Sequence, residues 1–164
     1  MLEPKHRAFL TELKRRGQPE LDGLAQCFQL LSLASAIDQD CAHRLAPSGL
    51  SEGRFVLLFL LQGAGDALSP HQLAERAGVT RATVTGLLDG LERDALLERH
   101  VDPADKRRVH VRLTAAGEAL AVDLFDRHTQ WIRTLFADLS EQERALLSGM
   151  LCRIWARTDA GRAE

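Results

Sequence analysis

The sequence predicts a mostly helical α+β fold in which one short β-hairpin interrupts a succession of helices. Three observations carry that expectation. Apolar residues recur at the helical spacing of about 3.6 over most of the chain. Two short segments with strong capping residues, Ser69-Pro70 and Thr80, lie on either side of Gly78-Val79. After Leu96, apolar and other residues alternate in two runs, Leu97 to Val101 and Val109 to Leu113.

A first short helix is expected from about Pro4 to Arg16, ended by Gly17-Gln18-Pro19. A long helix follows, from about Glu20 to Leu45, on which Cys27, Leu30, Ala34, Ile37, Cys41 and Leu45 share one narrow stripe. Pro47-Ser48-Gly49 breaks it. Ser51 caps the next helix, which carries the apolar block Phe55 to Leu61. Beyond the loop from Gln62 to Asp66, Ser69 caps a short helix reaching Ala77, with Pro70 at its first position. Gly78-Val79 turns the chain, and Thr80 caps a further helix to about Asp94. Two short helices joined by a glycine-containing turn form a helix-turn-helix. The alternating runs make a hairpin whose connection, Asp102-Pro103-Ala104-Asp105-Lys106-Arg107, is too long for a two-residue turn. Thr114 caps a long helix over about Ala115 to Ala137, and Ser140-Glu141-Gln142-Glu143 is a capping box for a last one to about Arg157.

A helix-turn-helix followed directly by a charged hairpin is a winged helix, here flanked by long helices. The expected parts are N-terminal helices over 1–48, a winged helix-turn-helix lobe over 49–114 and C-terminal helices over 115–164. The last two helices are amphipathic, with Leu120, Leu124, His128, Trp131 and Leu135, then Leu146, Leu147, Met150, Leu151, Ile154 and Trp155. Long helices extending past a small lobe are best covered by the same helices of a second chain, so the two ends are expected to build a dimerisation domain.

Composition narrows the function. With 45% hydrophobic and 27% charged residues the chain fits a water-soluble globular protein. No apolar run approaches the about 18 residues of a membrane span, and MLEPKHRAFL lacks an apolar signal core. Cys27, Cys41 and Cys152 are an odd number without close spacing, which speaks against a disulfide framework and for a reducing cytoplasm. No nucleophile elbow, Walker loop, zinc-protease motif or dinucleotide fingerprint is present, so neither an enzyme nor a cofactor is expected. The formal net charge of −2 does not point to nucleic acid, but its distribution does. From Arg76 to Arg112 there are eight basic and six acidic residues, net +2, with Lys106, Arg107 and Arg108 in a row. Local charge is what a phosphate backbone feels within a screening length of about 8–10 Å.

The helix beginning at Arg81 places Val84, Leu87, Leu88 and Leu91 on its core side and Arg81, Ala82, Thr85, Gly86 and Asp89 opposite. A recognition helix needs small or short polar residues near its N-terminal end, because that end approaches base edges in the major groove. Arg81 suits guanine; Thr83 and Thr85 suit phosphate, a base edge or a thymine methyl. Ser69, at the start of the preceding helix, joins this set. Gly86 and Gly90 weaken the helix and imply either close backbone approach or a packing reason. At the hairpin tip, Lys106, Arg107 and Arg108 suit the narrow minor groove, with Asp102 and Asp105 orienting them by charge-assisted hydrogen bonds. Taken alone, that charge run reads more readily as a solvated loop than as a nucleic-acid contact.

From Leu50 to Leu120 the chain resembles the MarR (multiple antibiotic resistance regulator) family of bacterial winged-helix repressors. The residues that carry the resemblance are Leu73 to Val79, Thr83 to Glu92, and above all Asp102-Pro103-Ala104-Asp105-Lys106-Arg107-Arg108 leading into Val111 to Gly117. The resemblance implies a homodimer on a palindromic double-stranded DNA operator, released when a small ligand or an oxidant acts. It implies that Arg107, with Lys106, contacts the minor groove and that Asp105 orients it, while Arg81, Thr83 and Thr85 lie at the major groove. Family members often carry arginine where this chain has Gly86 and Gly90, a departure that weighs against strong base readout from mid-helix.

Three sensing chemistries remain open. A small aromatic or anionic ligand would sit in a cleft lined by Ile37, Cys41, Arg44, Phe55, Leu58 and His128, with Arg44 or His43 pairing its acid group. A redox device would use Cys27, since a cysteine followed by Phe occurs on the corresponding helix of the hydroperoxide-sensing branch; there tyrosine hydroxyls activate it, and this chain has no tyrosine. A metal site from Cys41, His43 and His128 lacks the usual ligand spacing, so no metal is expected. A winged-helix module for protein-protein contact is the alternative to DNA binding, and it would not need Lys106, Arg107 and Arg108.

Overall fold

Capping chemistry decides where most of the helices begin. In the computed structural model, which describes residues 1–19, 21–101 and 109–162, α1 (Pro4–Arg15) opens with proline, whose missing N–H costs nothing there. Helix α2 (Leu21–Leu45) runs into a 3-10 turn, Ala46–Ser48. Ser51 caps α3 (Glu52–Ala64) by accepting from the Arg54 amide. Ser69 and Gln72 form a reciprocal capping box at α4 (Pro70–Ala77). Gly78 then takes φ 65°, a left-handed conformation that would cost a residue with a side chain about 1–2 kcal/mol. Thr80 caps α5 (Arg81–Arg93) by accepting from the Thr83 amide at 3.1 Å. Helices α6 (Ala115–Leu135) and α7 (Glu141–Trp155) follow, the latter opened by the Ser140–Glu143 capping box. Both end before the expected Ala137 and Arg157, because three-residue turn bonds such as Ala137 N to Thr134 O replace the helical pattern.

Strands β1 (Leu97–Val101) and β2 (Val109–Leu113) pair antiparallel, with Leu97 opposite Leu113 and Val101 opposite Val109. A further rung joins them to the helix-turn-helix. Leu68 N donates to Val111 O at 3.1 Å and Val111 N donates to Leu68 O at 2.8 Å. Leu97, Leu68 and Val111 point into the core, so the small sheet is anchored from one face.

The chain divides into two compact units, Met1–Val122 and Asp123–Glu164. In the first, Leu45, Leu57, Leu58, Leu73, Val84, Leu88, Leu91 and Val111 are fully buried. Each such side chain contributes about 1.5–3 kcal/mol relative to exposure. In the second, Leu124 and Trp131 are buried, yet α7 has no buried residue and leaves Leu146, Met150, Leu151, Ile154 and Trp155 exposed.

The apolar stripe expected along α2 is corrected by the structure. Cys41 and Leu45 are buried, Leu30 and Ile37 are half-buried, but Cys27 and Ala34 are exposed. The reason is α1, which covers a neighbouring side of α2 instead. His6 stacks on Phe28 with ring centroids 4.6 Å apart, and its Nδ1 lies 3.0 Å from the Ser32 hydroxyl.

Candidate nucleic-acid interface

Helix α5 buries Val84, Leu88 and Leu91 and leaves Arg81, Ala82, Thr83, Thr85 and Gly86 exposed. Its N-terminal turn combines the positive end of the helix dipole with the Arg81 guanidinium, a combination suited to an anion. The threonine hydroxyls are partly engaged by their own helix. Thr83 Oγ1 lies 2.9 Å from Thr80 Oγ1, and Thr85 Oγ1 donates to the Arg81 carbonyl at 3.0 Å. Ser69 is half-buried, and its hydroxyl accepts from the Gln72 amide at 3.2 Å, so it fixes where α4 starts.

Arg81 does not stand alone. Its Nη2 lies 3.1 Å from His71 Nδ1 and 3.4 Å from Nε2, and His71 Nε2 is 3.5 Å from Glu75 Oε1. Sequence reasoning missed His71, whose only signal was its place two residues after the Ser69 cap, in the helix that faces the start of α5.

The two glycines of α5 separate into different cases. A methyl at Gly90 would collide with the Arg54 guanidinium, which crosses there to reach Asp94 at 2.9 Å. Packing therefore accounts for Gly90. At Gly86 a methyl would meet nothing within 4 Å, so the bare backbone faces outward. Farther along, Arg99 of β1 donates to Asp89 Oδ1 at 2.6 Å and lies 3.5 Å from Glu92. This draws two carboxylates of α5 into pairs with a cation of the wing strand. Lys106, Arg107, Arg108, Asp102 and Asp105 lie outside the described residues.

Residues 48–108 match the family model described as MarR family. Over 155 residues, 94% of this chain and 93% of the relative, the chain is 33% identical to the HTH-type transcriptional repressor YetL of Bacillus subtilis (strain 168). The chain belongs to the MarR family. A second relative is the HTH-type transcriptional regulator PecS of Dickeya dadantii (strain 3937), 33% identical with 85% of this chain and 87% of PecS covered. Among solved structures, the chain is similar to MepR of S. aureus in complex with DNA, at 25% identity and a TM-score of 0.69, covering 79% of this chain and 94% of that one. It is also similar to the transcriptional regulator PA4135, at 27% identity and a TM-score of 0.62, covering 86% and 99%. MarR-family membership makes this chain a DNA-binding transcriptional regulator, not an enzyme.

The residues expected to line an effector cleft fall as follows. Cys41 and Phe55 are buried, Leu58 is fully buried, Ile37 is half-buried and Arg44 is exposed. His128 belongs to the second unit, with its ring edge-on to Trp131 at 4.9 Å. A cavity of about 460 Å³ in the first unit shares none of these residues; it is bordered by Leu61, Gln62, Asp66, Arg112 and Glu118 among others. The three cysteines are unbridged. Burial, followed by the charges of Glu52 and Asp38, pushes the Cys41 thiol above its usual range, which disfavours the nucleophilic thiolate. Cys27 is exposed, contrary to its expected place on a buried stripe. Among the described residues no group of three or more His, Cys, Asp or Glu could hold a metal ion, and no helix is long and apolar enough to cross a membrane.

Proposed function

We propose that this MarR-family regulator is a homodimeric repressor that binds a palindromic operator and is released by a small aromatic or anionic ligand. The observation that carries the reading is α5, whose Val84, Leu88 and Leu91 are fully buried while its capped N-terminal turn offers Arg81, Ala82, Thr83 and Thr85 to solvent. Repression is supported by the name of YetL, and operator binding by MepR having been solved on DNA. In this reading Arg81 and the threonines enter the major groove, and Gly86 lets the duplex approach the helix backbone. Lys106, Arg107 and Arg108 reach the minor groove, with Asp102 and Asp105 orienting them. Dimerisation is supported by Leu24, Leu31 and Leu33 on α2 and by the apolar side of α7, all left exposed by a single chain. Ile37, Cys41, Arg44, Phe55, Leu58 and His128 frame the effector region. The chain acts in the cytoplasm, where its operator is.

The test is a duplex selected by the purified protein from a random-sequence library. We expect a dimer by light scattering, an inverted-repeat consensus, and affinity that drops steeply with salt as several phosphates are released per dimer. Arg107→Ala keeps the dimer and loses the duplex. A monomer, or binding insensitive to salt, overturns the proposal and favours the protein-protein module. A thermal-shift screen of aromatic acids then identifies the effector class. The exposure of Cys27 supports a second reading, a thiol switch. Cys27→Ser would then bind the duplex but ignore peroxide, and release of that variant by peroxide removes the switch.

A further inference from the structure

We propose that His71 is a positioning residue for base recognition, holding Arg81 in its reading conformation. The inference rests on the placement of α5 at the major groove. An arginine on an exposed helix end samples many rotamers, and ordering it on a base costs entropy that a preset partner removes beforehand. His71 is that partner. One guanidinium nitrogen lies 3.1 Å from Nδ1 and 3.4 Å from Nε2, which seats it over the ring face rather than along either in-plane lone pair. A flat guanidinium stacks on such a face, and the stack limits the rotamers open to Arg81.

Glu75 supplies the other half of the device. It lies one helical turn beyond His71, 3.5 Å from Nε2, and makes no ion pair with Arg81. Its carboxylate stands beside the ring and so helps fix where the imidazole lies under the guanidinium. In free protein the exposed pair contributes little, but a docked duplex excludes water from it and its strength rises.

The experiment measures binding to the duplex selected by the wild-type dimer and to a set with each base pair substituted in turn. Arg81→Ala should lose roughly tenfold or more in affinity and flatten preference at one position of each half-site. His71→Ala should lose roughly threefold to tenfold and blur preference at that same position. His71→Phe, which keeps a flat ring face under the guanidinium, should restore it. The double variant His71→Ala/Arg81→Ala should bind no worse than Arg81→Ala. An unchanged His71→Ala, or a His71→Phe that binds no better than His71→Ala, overturns the positioning role with the DNA reading intact. An unchanged Arg81→Ala overturns the placement of Arg81 itself.

Discussion

Arg99 of β1 and Asp89 of α5 meet at 2.6 Å, so the strand that leads into the wing is tied to the helix that precedes it. The pair also takes a carboxylate out of the field that a phosphate backbone would feel.

Replacing Arg99 by alanine should therefore weaken DNA binding more than it weakens the fold. A partly exposed pair contributes about 1 kcal/mol or less to stability. Affinity should fall roughly fivefold to tenfold, because Asp89 and Glu92 are left as uncompensated anions beside the duplex. Adding Asp89→Asn to Arg99→Ala should recover part of the loss. Fluorescence anisotropy and a thermal melt on the same samples separate the two effects; equal affinity in Arg99→Ala and wild type would show that the clamp is structural only.

Glycine substitutions should sort by what surrounds them. Gly86→Ala, with open space around it, should raise helix stability by about 0.5–1 kcal/mol. A methyl at Gly117 would run into the Leu96 carbonyl oxygen, part of the backbone, so Gly117→Ala should cost about 1–3 kcal/mol. Urea titration of both variants checks the signs.

Thiol labelling at neutral pH should leave Cys41 for last. Its thiol is buried and pushed up in pKa, so the reactive thiolate is scarce at that site. Mass spectrometry after timed alkylation should find Cys27 modified first relative to Cys41, and equal rates would contradict the burial seen here.

The start of α7 should be acid-sensitive. The Ser140 hydroxyl and amide both donate to Glu143, and these bonds hold its carboxyl below the usual range. A lowered carboxyl pKa adds stability above the unfolded value, and that stability is lost as pH falls through the folded value. Melting temperature should thus decline less steeply between about pH 6 and pH 3 in Ser140→Ala than in wild type, since that variant lacks one of the donors.

What the sequence made legible was local. Ser51, Ser69, Thr80 and Ser140 each mark a helix start within a few residues of their partners, and the alternation from Leu97 to Leu113 sets a register in which Leu97 and Val111 share the inward face. What stayed hidden depends on residues distant in the chain. Arg54 reaches Asp94 across 40 positions, and a methyl at Gly90 would have to push that guanidinium aside. His6 meets Ser32 across 26 positions, which decides which side of α2 is covered and leaves Cys27 outside. The Arg81–His71 contact spans only 10 positions, but it joins two helices whose angle no periodicity reveals.

The reciprocal bonds between Leu68 and Val111 have a mechanical corollary. They rivet the approach to α4 onto β2, so the start of the helix-turn-helix and the described base of the hairpin move as one part. Amide exchange should then show Leu68 and Val111 opening together, as a single latch.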